Sequence, residues 1–409
     1  MMEKIRVLEL FAGIGACSKA LERLKIPHEI VDAVEIDKYA IRSFNAIHNT
    51  NFEPQDIREW DKDLKVDLII HGSPCQDFSI AGKQAGGDMG SGTRSSLMYD
   101  TLRIVKKLRP KYVIWENVKN LLSQKHRPNF DAYQEQMVEL GYRNFYQVLN
   151  AKDYGIPQNR ERVFTVSILD DDNFSFPSKQ TDGKINKVFD INKEVLNDNE
   201  RQRRVYSPDG ISPALLNRSD SPKIITKFDF PPQQELSMQL NDILDEQVEE
   251  KYYLDQKMID DFRIKHSIKQ SKSGISVAGE LNIKTSEQVR KVYSCDGVAP
   301  TLDTMGGGHR QPKIIIDDTQ GFDGVRYYCE YAPTLRAGRS GLKTTDRTYR
   351  IRKLTPKECW RLMGFDDTDF EKASRINSNT QLYKQAGNSI VVNVLMAILS
   401  ELFNEGSNE

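Results

Sequence analysis

A cysteine directly follows one buried strand of this sequence, and a carboxylate closes the next. Residues 67–72 form an apolar run that predicts a strand, and Ser73-Pro74-Cys75-Gln76 come immediately after it. Glu116 stands at the end of the following predicted strand. Because the carboxyl ends of parallel strands meet at one sheet edge, a thiol and a carboxylate would face one pocket. A thiol placed there could act as a covalent nucleophile, although a single loop cysteine is more often inert, and a helix-capping carboxylate is the alternative for Glu116.

A glycine-containing turn follows the first predicted strand. Residues 11–15 read Phe-Ala-Gly-Ile-Gly, and glycines there let a ligand approach the backbone beside a helix N-terminus. Glu35 ends the next strand, where a carboxylate suits ribose hydroxyls, and Asp56 could accept from an adenine amine. A solvated strand-end carboxylate is the alternative for Glu35. The dinucleotide pattern G-x-G-x-x-G is absent, so S-adenosylmethionine is favoured over NAD.

Two arginines, Arg160 and Arg162, precede a further predicted strand and would share one of its faces. Surface arginines are the competing interpretation for such a pair. Only their placement beside Cys75 and Glu116 would give them a role in the same pocket.

The first part of the chain alternates β-rich runs with helical patterns, which predicts a mostly parallel sheet. Past Asp170 the texture changes to short β-prone pieces separated by Asp, Asn, Ser, Pro and Gly, which predicts a second domain. Residues 235–269 read as an acidic helical stretch, and an apolar helix is expected at about 389–403. Strands are predicted at residues 5–10, 30–34, 66–70, 112–115, 145–149 and 163–168.

The second domain contains a sequence repeat. Residues 205–215, Val-Tyr-Ser-Pro-Asp-Gly-Ile-Ser-Pro-Ala-Leu, recur as Val-Tyr-Ser-Cys-Asp-Gly-Val-Ala-Pro-Thr-Leu at 292–302, and each copy is followed by Pro-Lys-Ile-Ile. A degraded third copy runs over 325–335. Each copy predicts a strand, an Asp-Gly turn and a proline-bounded edge, so the domain is expected to consist of duplicated β units. A shared scaffold without a shared function remains equally open.

Composition excludes several classes of protein. The 409 residues suffice for two domains, and the mean hydropathy of -0.59 goes with the absence of any apolar run approaching roughly 18 residues. A signal-peptide core is absent, so we expect no membrane association and a cytoplasmic protein. The five cysteines are scattered without a C-x-x-C pair, which argues against zinc, other metals and a disulfide framework. The formal net charge of -1 neither predicts nor excludes nucleic acid binding.

Taken in order, these segments resemble the DNA (cytosine-5) methyltransferases of bacterial and phage restriction-modification systems. The resemblance covers residues 5–169 and 350–403. Two positions depart from the family pattern: Ser73 replaces an apolar residue or proline, and Ile36 replaces an aromatic that often packs on adenine. The matching segments lie at residues 11–15, 35, 56, 74–76, 116–118, 158–162, 352–365 and 385–389.

The resemblance implies an α/β fold: a doubly wound, Rossmann-like S-adenosylmethionine-dependent methyltransferase domain plus a smaller β-rich target-recognition domain. The expected bounds are 1–172 with 354–409 for the catalytic domain and 173–353 for recognition. Implied catalytic residues are Cys75, Glu116, Arg160 and Arg162. Implied cofactor-binding residues are Phe11, Ala12, Gly13, Gly15, Glu35, Ile36, Asp56, Ile57, Pro74, Leu97, Asn388 and Ser389. Candidate DNA-binding residues are Gln76, Ser79, Lys83, Arg94, Arg310, Arg336, Arg339 and Arg350. The last three lie in a basic run over residues 336–353, which also contains Arg352 and in which basic residues outnumber the single Asp346.

The implied reaction is methylation of C5 of a flipped-out cytosine in a specific duplex DNA sequence, through a covalent bond between Cys75 and C6. Arg162 would contact the pyrimidine O2, and Arg160 would support the loop or backbone. We expect a monomer that acts on duplex DNA, with a cognate restriction endonuclease as a candidate partner in the host system. Two alternatives stay open: an enzyme that methylates cytosine in tRNA, and a catalytically silent DNA-binding relative.

Overall fold

A computed structural model describes most of the first domain and the C-terminal region, and parts of the region between them. The described residues are 4–74, 94–169, 187–190, 204–206, 223–224, 230–259, 262–264, 271, 273–305, 310–317 and 349–403. Of the positions singled out above, Cys75, Gln76, Ser79, Lys83, Arg336 and Arg339 lie outside the described residues, as does the third repeat copy.

The first 169 residues form a six-stranded sheet with the order β2-β1-β3-β4-β6-β5. Within it, β6 runs antiparallel to both of its neighbours, and the other five strands are parallel to one another. All six predicted strands are confirmed, with bounds that shift by up to three residues. The strands are β1 (Ile5–Leu10), β2 (His28–Val34), β3 (Leu68–His71), β4 (Tyr112–Val118), β5 (Tyr142–Asn150) and β6 (Glu161–Leu169).

Helices cover both faces of this sheet, because side chains alternate along each strand. One face packs Val7, Ile70 and Ile114 against helices α1 and α10, and the other packs Leu8, Ile69 and other apolar side chains against α3 and α4. The doubly wound architecture is therefore confirmed. The helices of this part are α1 (Ala16–Arg23), α2 (Lys38–His48), α3 (Met98–Leu108), α4 (Arg127–Glu139), α7 (Pro356–Arg361), α8 (Asp367–Ser374), α9 (Asn379–Asn388) and α10 (Val392–Phe403), with α5 (Gln256–Ile259) and α6 (Glu287–Arg290) between them.

The C-terminal helices belong to the same packed unit as the N-terminal strands. Lys19 in α1 is almost fully buried and its Nζ lies 3.0 Å from Asp369 Oδ1 in α8. Lys384 in α9 pairs with Asp37, the residue that caps α2, at 2.6 Å. Helix α10 also packs on α1, so the C-terminal helices share a core with the N-terminal part of the chain.

One segment of the described chain, Asn379–Phe403, is apolar and long enough by composition to cross a membrane. The sequence predicts no membrane-spanning segment, because that prediction considers only uninterrupted runs of apolar residues. Leu395, Ile398 and Leu399 in this segment are fully buried in the core that α10 shares with α1 and the sheet. Its apolar character is therefore explained by core packing.

Two further sheets contain the repeat. One has three strands, β7 (Lys187–Asp190), β8 (Arg204–Tyr206) and β9 (Lys223–Ile224). The other has five strands in chain order, β10 (Arg263–Ile264), β11 (Val277–Glu280), β12 (Lys291–Tyr293), β13 (Lys313–Asp317) and β14 (Tyr349–Lys353). A small separate core of Ala278, Leu281, Val292, Ile315 and Ile351 supports the five-stranded sheet.

The first two repeat copies share one strand register. In the first copy, β8 pairs in parallel with β9 so that Val205 faces Lys223 and Tyr206 faces Ile224. In the second copy, β12 and β13 pair in parallel with Val292 facing Lys313 and Tyr293 facing Ile314. The antiparallel partner strand is also irregular at the same place, between Lys187 and Phe189 in one copy and between Val277 and Gly279 in the other. The repeat is therefore a structural duplication down to its bulge.

The prediction that the acidic stretch over residues 235–269 forms a helix is wrong. The stretch contains 3-10 turns at Leu240–Ile243 and Glu250–Tyr252 and the four-residue α5. Its backbone instead bonds to the second repeat copy, since Leu240 N donates to Gly297 O and Asn241 N to Cys295 O. Amides committed to another segment cannot close helical turns, which explains why the apolar spacing does not yield a helix.

Candidate active site

Glu116 lies at the carboxyl edge of the sheet, beside the chain that leads to Cys75. A Cβ placed on Gly72 would be 3.5 Å from Glu116 Oε2. Arg162 Nε lies 3.1 Å from Glu116 Oε1, and both side chains keep a small exposed fraction, 17% and 11%. Glu116 therefore lies next to Gly72, close to the point where the chain leads to Cys75. Cys75 itself lies outside the described residues.

Strand β4 also binds Ser73, two residues before Cys75. Trp115 Nε1 donates to Ser73 Oγ at 2.9 Å, and Asn117 Nδ2 donates to the Ser73 carbonyl at 3.3 Å. Ser73 is buried, so its hydroxyl gives the indole N–H a partner that an apolar residue at this position could not provide. This departure from the family pattern thus has a local structural use. We call Ser73, Glu116, Asn117 and Arg162 the edge cluster.

Arg160 has surroundings quite different from those of Arg162. It precedes β6, so the strand alternation that predicted a shared face does not include it. Its Nη1 donates to Leu302 O at 2.9 Å, and its Nη2 donates to Gly387 O at 3.1 Å and to Ser389 O at 2.9 Å. The side chain is 4% exposed. Its guanidinium binds backbone carbonyls, which is compatible with the supporting role expected for it.

The segment before β6 meets the second repeat copy through several buried contacts. Gln158 Oε1 accepts from Leu302 N at 3.2 Å, and its Nε2 donates to Leu362 O at 2.8 Å. A Cβ on Gly387 would lie 1.8 Å from Asp303 O, so two backbones touch there and only glycine fits. We call Gln158, Arg160, Leu302 and Gly387 the docking cluster.

The turn after β1 has the backbone that its glycines predict. Phe11, Gly13 and Gly15 all have positive φ, at 53°, 57° and 81°. At Gly15 a Cβ would lie 2.1 Å from His48 Nε2, so a side chain would collide with α2. Positive φ in the non-glycine Phe11 is uncommon, and such backbone often occurs at functional sites.

A narrow cavity opens where this turn, the end of β3 and the end of α9 meet. It joins residues from both ends of the chain and brings Asn388 and Ser389 next to the first turn. The residues that line it are Glu9, Leu10, Phe11, Ala12, Gly13, Ala16, Cys17, Ile70, His71, Gly72, Asn388, Ser389 and Ile390.

Glu35 contacts the same turn through its carboxylate. Its Oε2 accepts from Gly13 N at 3.0 Å and its Oε1 from Asp37 N at 2.8 Å. Burial raises the pKa of this carboxyl above its ordinary value, although both hydrogen bonds oppose that shift. The neighbouring Ile36 is 66% exposed, which is unusual for a large apolar side chain.

Asp56 is bound by its neighbour Arg58. The Arg58 backbone N–H donates to Asp56 Oδ1 at 3.0 Å, and the guanidinium contacts both carboxylate oxygens and lowers the pKa of Asp56. Ile57 is buried, and Leu97 packs against the core that contains it. The loop that carries Asp56 is held by buried Asp32, which accepts from Gln55 Nε2 at 2.8 Å, Trp60 Nε1 at 2.8 Å and Lys62 Nζ at 2.7 Å.

Glu9 is a residue that the sequence reasoning missed. It lines the cavity, it is buried, and it accepts from the backbone N–H and hydroxyl of Ser18 at the start of α1. Burial raises the pKa of Glu9 to about 7. An acidic residue inside the apolar run of residues 5–10 was the available signal.

The predicted DNA-binding arginines that the structure describes differ among themselves. Arg94 begins a 3-10 helix, and Arg310 is exposed. Arg350 pairs with Glu250 and stacks over Tyr253 with its guanidinium carbon 3.6 Å from the ring centre, so part of its charge is neutralised. Arg352, part of the same basic run, is buried in a bidentate pair with Glu358 at 2.8 Å. The run is therefore not a uniform basic face.

Comparison with known proteins agrees with this geometry. The family model for C-5 cytosine-specific DNA methylase matches residues 5–404. The chain is 34% identical to the orphan methyltransferase M.SPBetaI of Bacillus phage SPbeta, over 100% of this chain and 99% of that one. It is 30% identical to the type II methyltransferase M.HhaI of Haemophilus parahaemolyticus, over 99% and 95%.

Solved structures share the fold at low sequence identity. The S. pombe Dnmt2 methyltransferase matches with a TM-score of 0.56 and 17% identity, covering 99% of this chain and 100% of that one. The Entamoeba histolytica methyltransferase EhMeth matches with a TM-score of 0.59 and 13% identity, covering both chains completely. From the family match and the relatives, the chain belongs to the C-5 cytosine-specific DNA methylases and is a DNA (cytosine-5) methyltransferase.

Proposed function

We propose that this enzyme transfers a methyl group from S-adenosylmethionine to C5 of a cytosine flipped out of a specific duplex DNA sequence, through a covalent bond between Cys75 and C6. The ion pair of Glu116 with Arg162, set beside Gly72 at the sheet edge, is the observation that carries the proposal. It supplies a carboxyl group and a cation next to the residues that immediately precede the cysteine.

The residues present suit the cofactor. Glu35 uses one hydrogen bond on each carboxylate oxygen, which leaves further lone pairs for ribose hydroxyls. The exposed Ile36 offers an apolar surface for adenine, and Asp56 retains acceptor capacity for its amine beside Arg58. Phe11, Gly13 and Ser389 line the cavity where the methionine part would lie. When bound, S-adenosylmethionine supplies a methyl group on a sulfonium, which is open to attack by a carbon nucleophile.

The chain's own residues would make C5 that nucleophile. The Cys75 thiolate adds to C6, and the π electron pair of the C5–C6 double bond moves toward C4 and N3, which makes C5 nucleophilic. A proton shared between Glu116 and N3 would stabilise the charge that develops on the ring, while Arg162 holds O2 and keeps Glu116 in place. After methyl transfer, water removes the C5 proton, the electrons of that C–H bond restore the C5–C6 double bond as the Cys75 thiolate leaves, and the proton at N3 returns to Glu116.

A stacked base cannot reach these groups, so flipping is required, at a cost of a few kcal/mol. Residues 76–96 are our candidate for filling the gap in the duplex. We assign recognition of the target sequence to residues 173–353, and catalysis to 1–172 with 354–409. The names of the type II and orphan phage relatives support a modification enzyme of a restriction-modification system or a phage methylase. Such an enzyme would work in the cytoplasm as a monomer, with or without a partner nuclease.

Transfer of label tests the substrate. The protein is incubated with methyl-labelled S-adenosylmethionine and either duplex DNA from an unmodified host or tRNA. We expect label in DNA as 5-methylcytosine. Label in tRNA alone would replace the DNA proposal, and label in neither would remove it.

Trapping tests the covalent step. A duplex with 5-fluorocytosine at the target site, located by bisulfite sequencing of DNA from expressing cells, cannot lose the group at C5. The wild type should therefore form a stable protein–DNA adduct, and Cys75→Ser should form none. A Cys75→Ser variant that methylates DNA at the wild-type rate would refute the mechanism.

A further inference from the structure

The docking cluster joins the second repeat copy to the wall of the proposed cofactor cavity. Residues 299–305, which comprise the end of that copy and the three residues after it, do not line the cavity, whereas Asn388 and Ser389 do. Yet the two segments are in direct backbone contact, because Gly387 leaves no room for a Cβ beside Asp303 O. The segments 156–160 and 299–302 are further tied by Asn159 N to Ala299 O at 2.9 Å and Ala299 N to Pro157 O at 2.8 Å.

Arg160 spans this contact with a single rigid group. One nitrogen of its guanidinium binds the Leu302 carbonyl, and the other binds the carbonyls of Gly387 and Ser389, all within 3.1 Å. The group is planar and permanently charged, and it is buried. A displaced carbonyl would leave that charge poorly solvated, so the three carbonyls are held to move together.

We propose that Arg160 is a positioning residue that couples occupancy of the cofactor cavity to the conformation of residues 299–305 in the recognition unit. The inference rests on the proposed function, because it takes S-adenosylmethionine as the occupant of the cavity. A ligand that fixes Ser389 fixes its carbonyl, and through Arg160 it also fixes Leu302. Such coupling is reciprocal. If bound cofactor raises the affinity for DNA that orders the second repeat copy, then that DNA raises the affinity for cofactor by the same factor.

Gln158 holds Leu302 at a second point. It holds Leu302 N from the side of α7, since its amide nitrogen is bound to Leu362 O. Leu302 is thus held at its N–H by Gln158 and at its carbonyl by Arg160. Thr301 makes a separate contact at the exposed rim, where its hydroxyl donates to Asn159 O at 2.6 Å. Thr301 therefore offers a matched control that weakens the same interface without touching Arg160.

Hydrogen exchange of the wild-type protein, with S-adenosylhomocysteine as the probe, tests the coupling without any variant. We expect slower exchange in residues 11–15 and 385–389, and also in 299–305, by about fivefold or more. Strand β11 should not change, which separates coupling from general stabilisation. Protection of the cavity segments alone would overturn this inference and leave the proposed function standing. Protection of neither would remove the cofactor assignment and this inference with it.

Arg160→Lys tests whether the guanidinium is the link, because one ammonium cannot hold all three carbonyls in the same plane. The variant should keep protection of 385–389 by S-adenosylhomocysteine and lose that of 299–305. Thr301→Val should retain both. In parallel, target duplex should raise the affinity of the wild type and of Thr301→Val for S-adenosylhomocysteine, but not that of Arg160→Lys. Equal coupling in Arg160→Lys and the wild type would contradict the role given to Arg160.

Discussion

The edge cluster and the docking cluster each use an arginine from the same short stretch of chain, but in different ways. Arg162 pairs with Glu116, and both keep part of their surface open at the sheet edge. Arg160, two residues earlier, is buried and bound to three backbone carbonyls. Side chains bound to side chains can exchange a partner for a substrate, whereas one bound to backbone holds the fold together. Whether an arginine in this stretch can take part in chemistry or supports the fold therefore depends more on the groups it binds than on the residue type.

The largest expected effect is in the edge cluster. Glu116→Gln keeps the shape but removes the acid that would act at N3, so kcat should fall by about 10²- to 10⁴-fold. Affinity for S-adenosylhomocysteine, measured by calorimetry, should stay unchanged. Glu161→Gln is the matched control, because Glu161 is an exposed partner of Lys119 in the adjoining strand. Equal turnover in Glu116→Gln and Glu161→Gln would remove Glu116 from the mechanism.

The docking cluster should respond in stability. In Gly387→Ala the new methyl group would meet the Asp303 carbonyl at 1.8 Å, and backbone cannot yield as a flexible side chain can. We expect a loss of about 3 kcal/mol, at the upper end of overpacking effects, measured as a fall in the thermal unfolding midpoint. Gly72→Ala in the edge region should unfold close to wild type, because its nearest contact would be an ordinary 3.5 Å. A similar midpoint for both variants would contradict the close backbone approach.

Glu9 sharpens the comparison, since it is buried like Arg160 but lines the cavity. Its pKa is raised to about 7 from 4.5, so the folded state binds its proton more tightly than the unfolded state. The stability it contributes is complete below pH 4.5 and is lost as pH rises through about 7. Relative to Glu9→Gln, the wild type should therefore lose up to about 3 kcal/mol over that range.

Unfolding midpoints of both proteins from pH 5 to 8 would measure this difference. His48 acts in the opposite direction, because burial lowers its pKa to about 4 and its stabilisation is lost as pH falls. That contribution is common to both proteins and cancels. Parallel pH profiles would show that Glu9 ionises normally.

The smallest effect is expected at Ser73. Ser73→Ala leaves the buried Trp115 N–H without its acceptor, at a cost of about 1–2 kcal/mol. Turnover should fall less than in Glu116→Gln, because only the chain at Ser73 is loosened. Chemical denaturation and steady-state kinetics of the same preparation would show both effects. A Ser73→Ala variant as stable as the wild type would mean that the hydroxyl has no anchoring role.

Alternating patterns explain how far the sequence predicted this fold. Residues such as Val7, Leu8 and Leu10 sort onto two faces by the period of a strand, and both faces proved to be buried. The close approach of Glu116 to residues 72–74 followed from the same logic, since strand ends share an edge. These features depend on local periodicity, which a single sequence contains.

Features that depend on contacts distant in sequence were not predictable. The stretch around Leu240 has helical spacing, but its amides bond to the second repeat copy some fifty residues away. The sequence predicts a basic face that includes Arg350 and Arg352. In the structure Glu250 pairs with Arg350, and Glu358 pairs with Arg352. The different fates of Arg160 and Arg162 likewise depend on where Leu302 and Gly387 lie.

The cavity at the first turn is built from the two ends of the chain. Phe11 and Gly13 form one wall, and Asn388 and Ser389 form another. A ribosome releases the N-terminal strands long before α9 and α10 exist, and a domain generally folds as a unit, so the N-terminal strands alone lack that wall. The pocket can be completed only after α9 has been made, and a product truncated before it would lack the pocket. Premature termination therefore yields an inert fragment, not an unregulated enzyme.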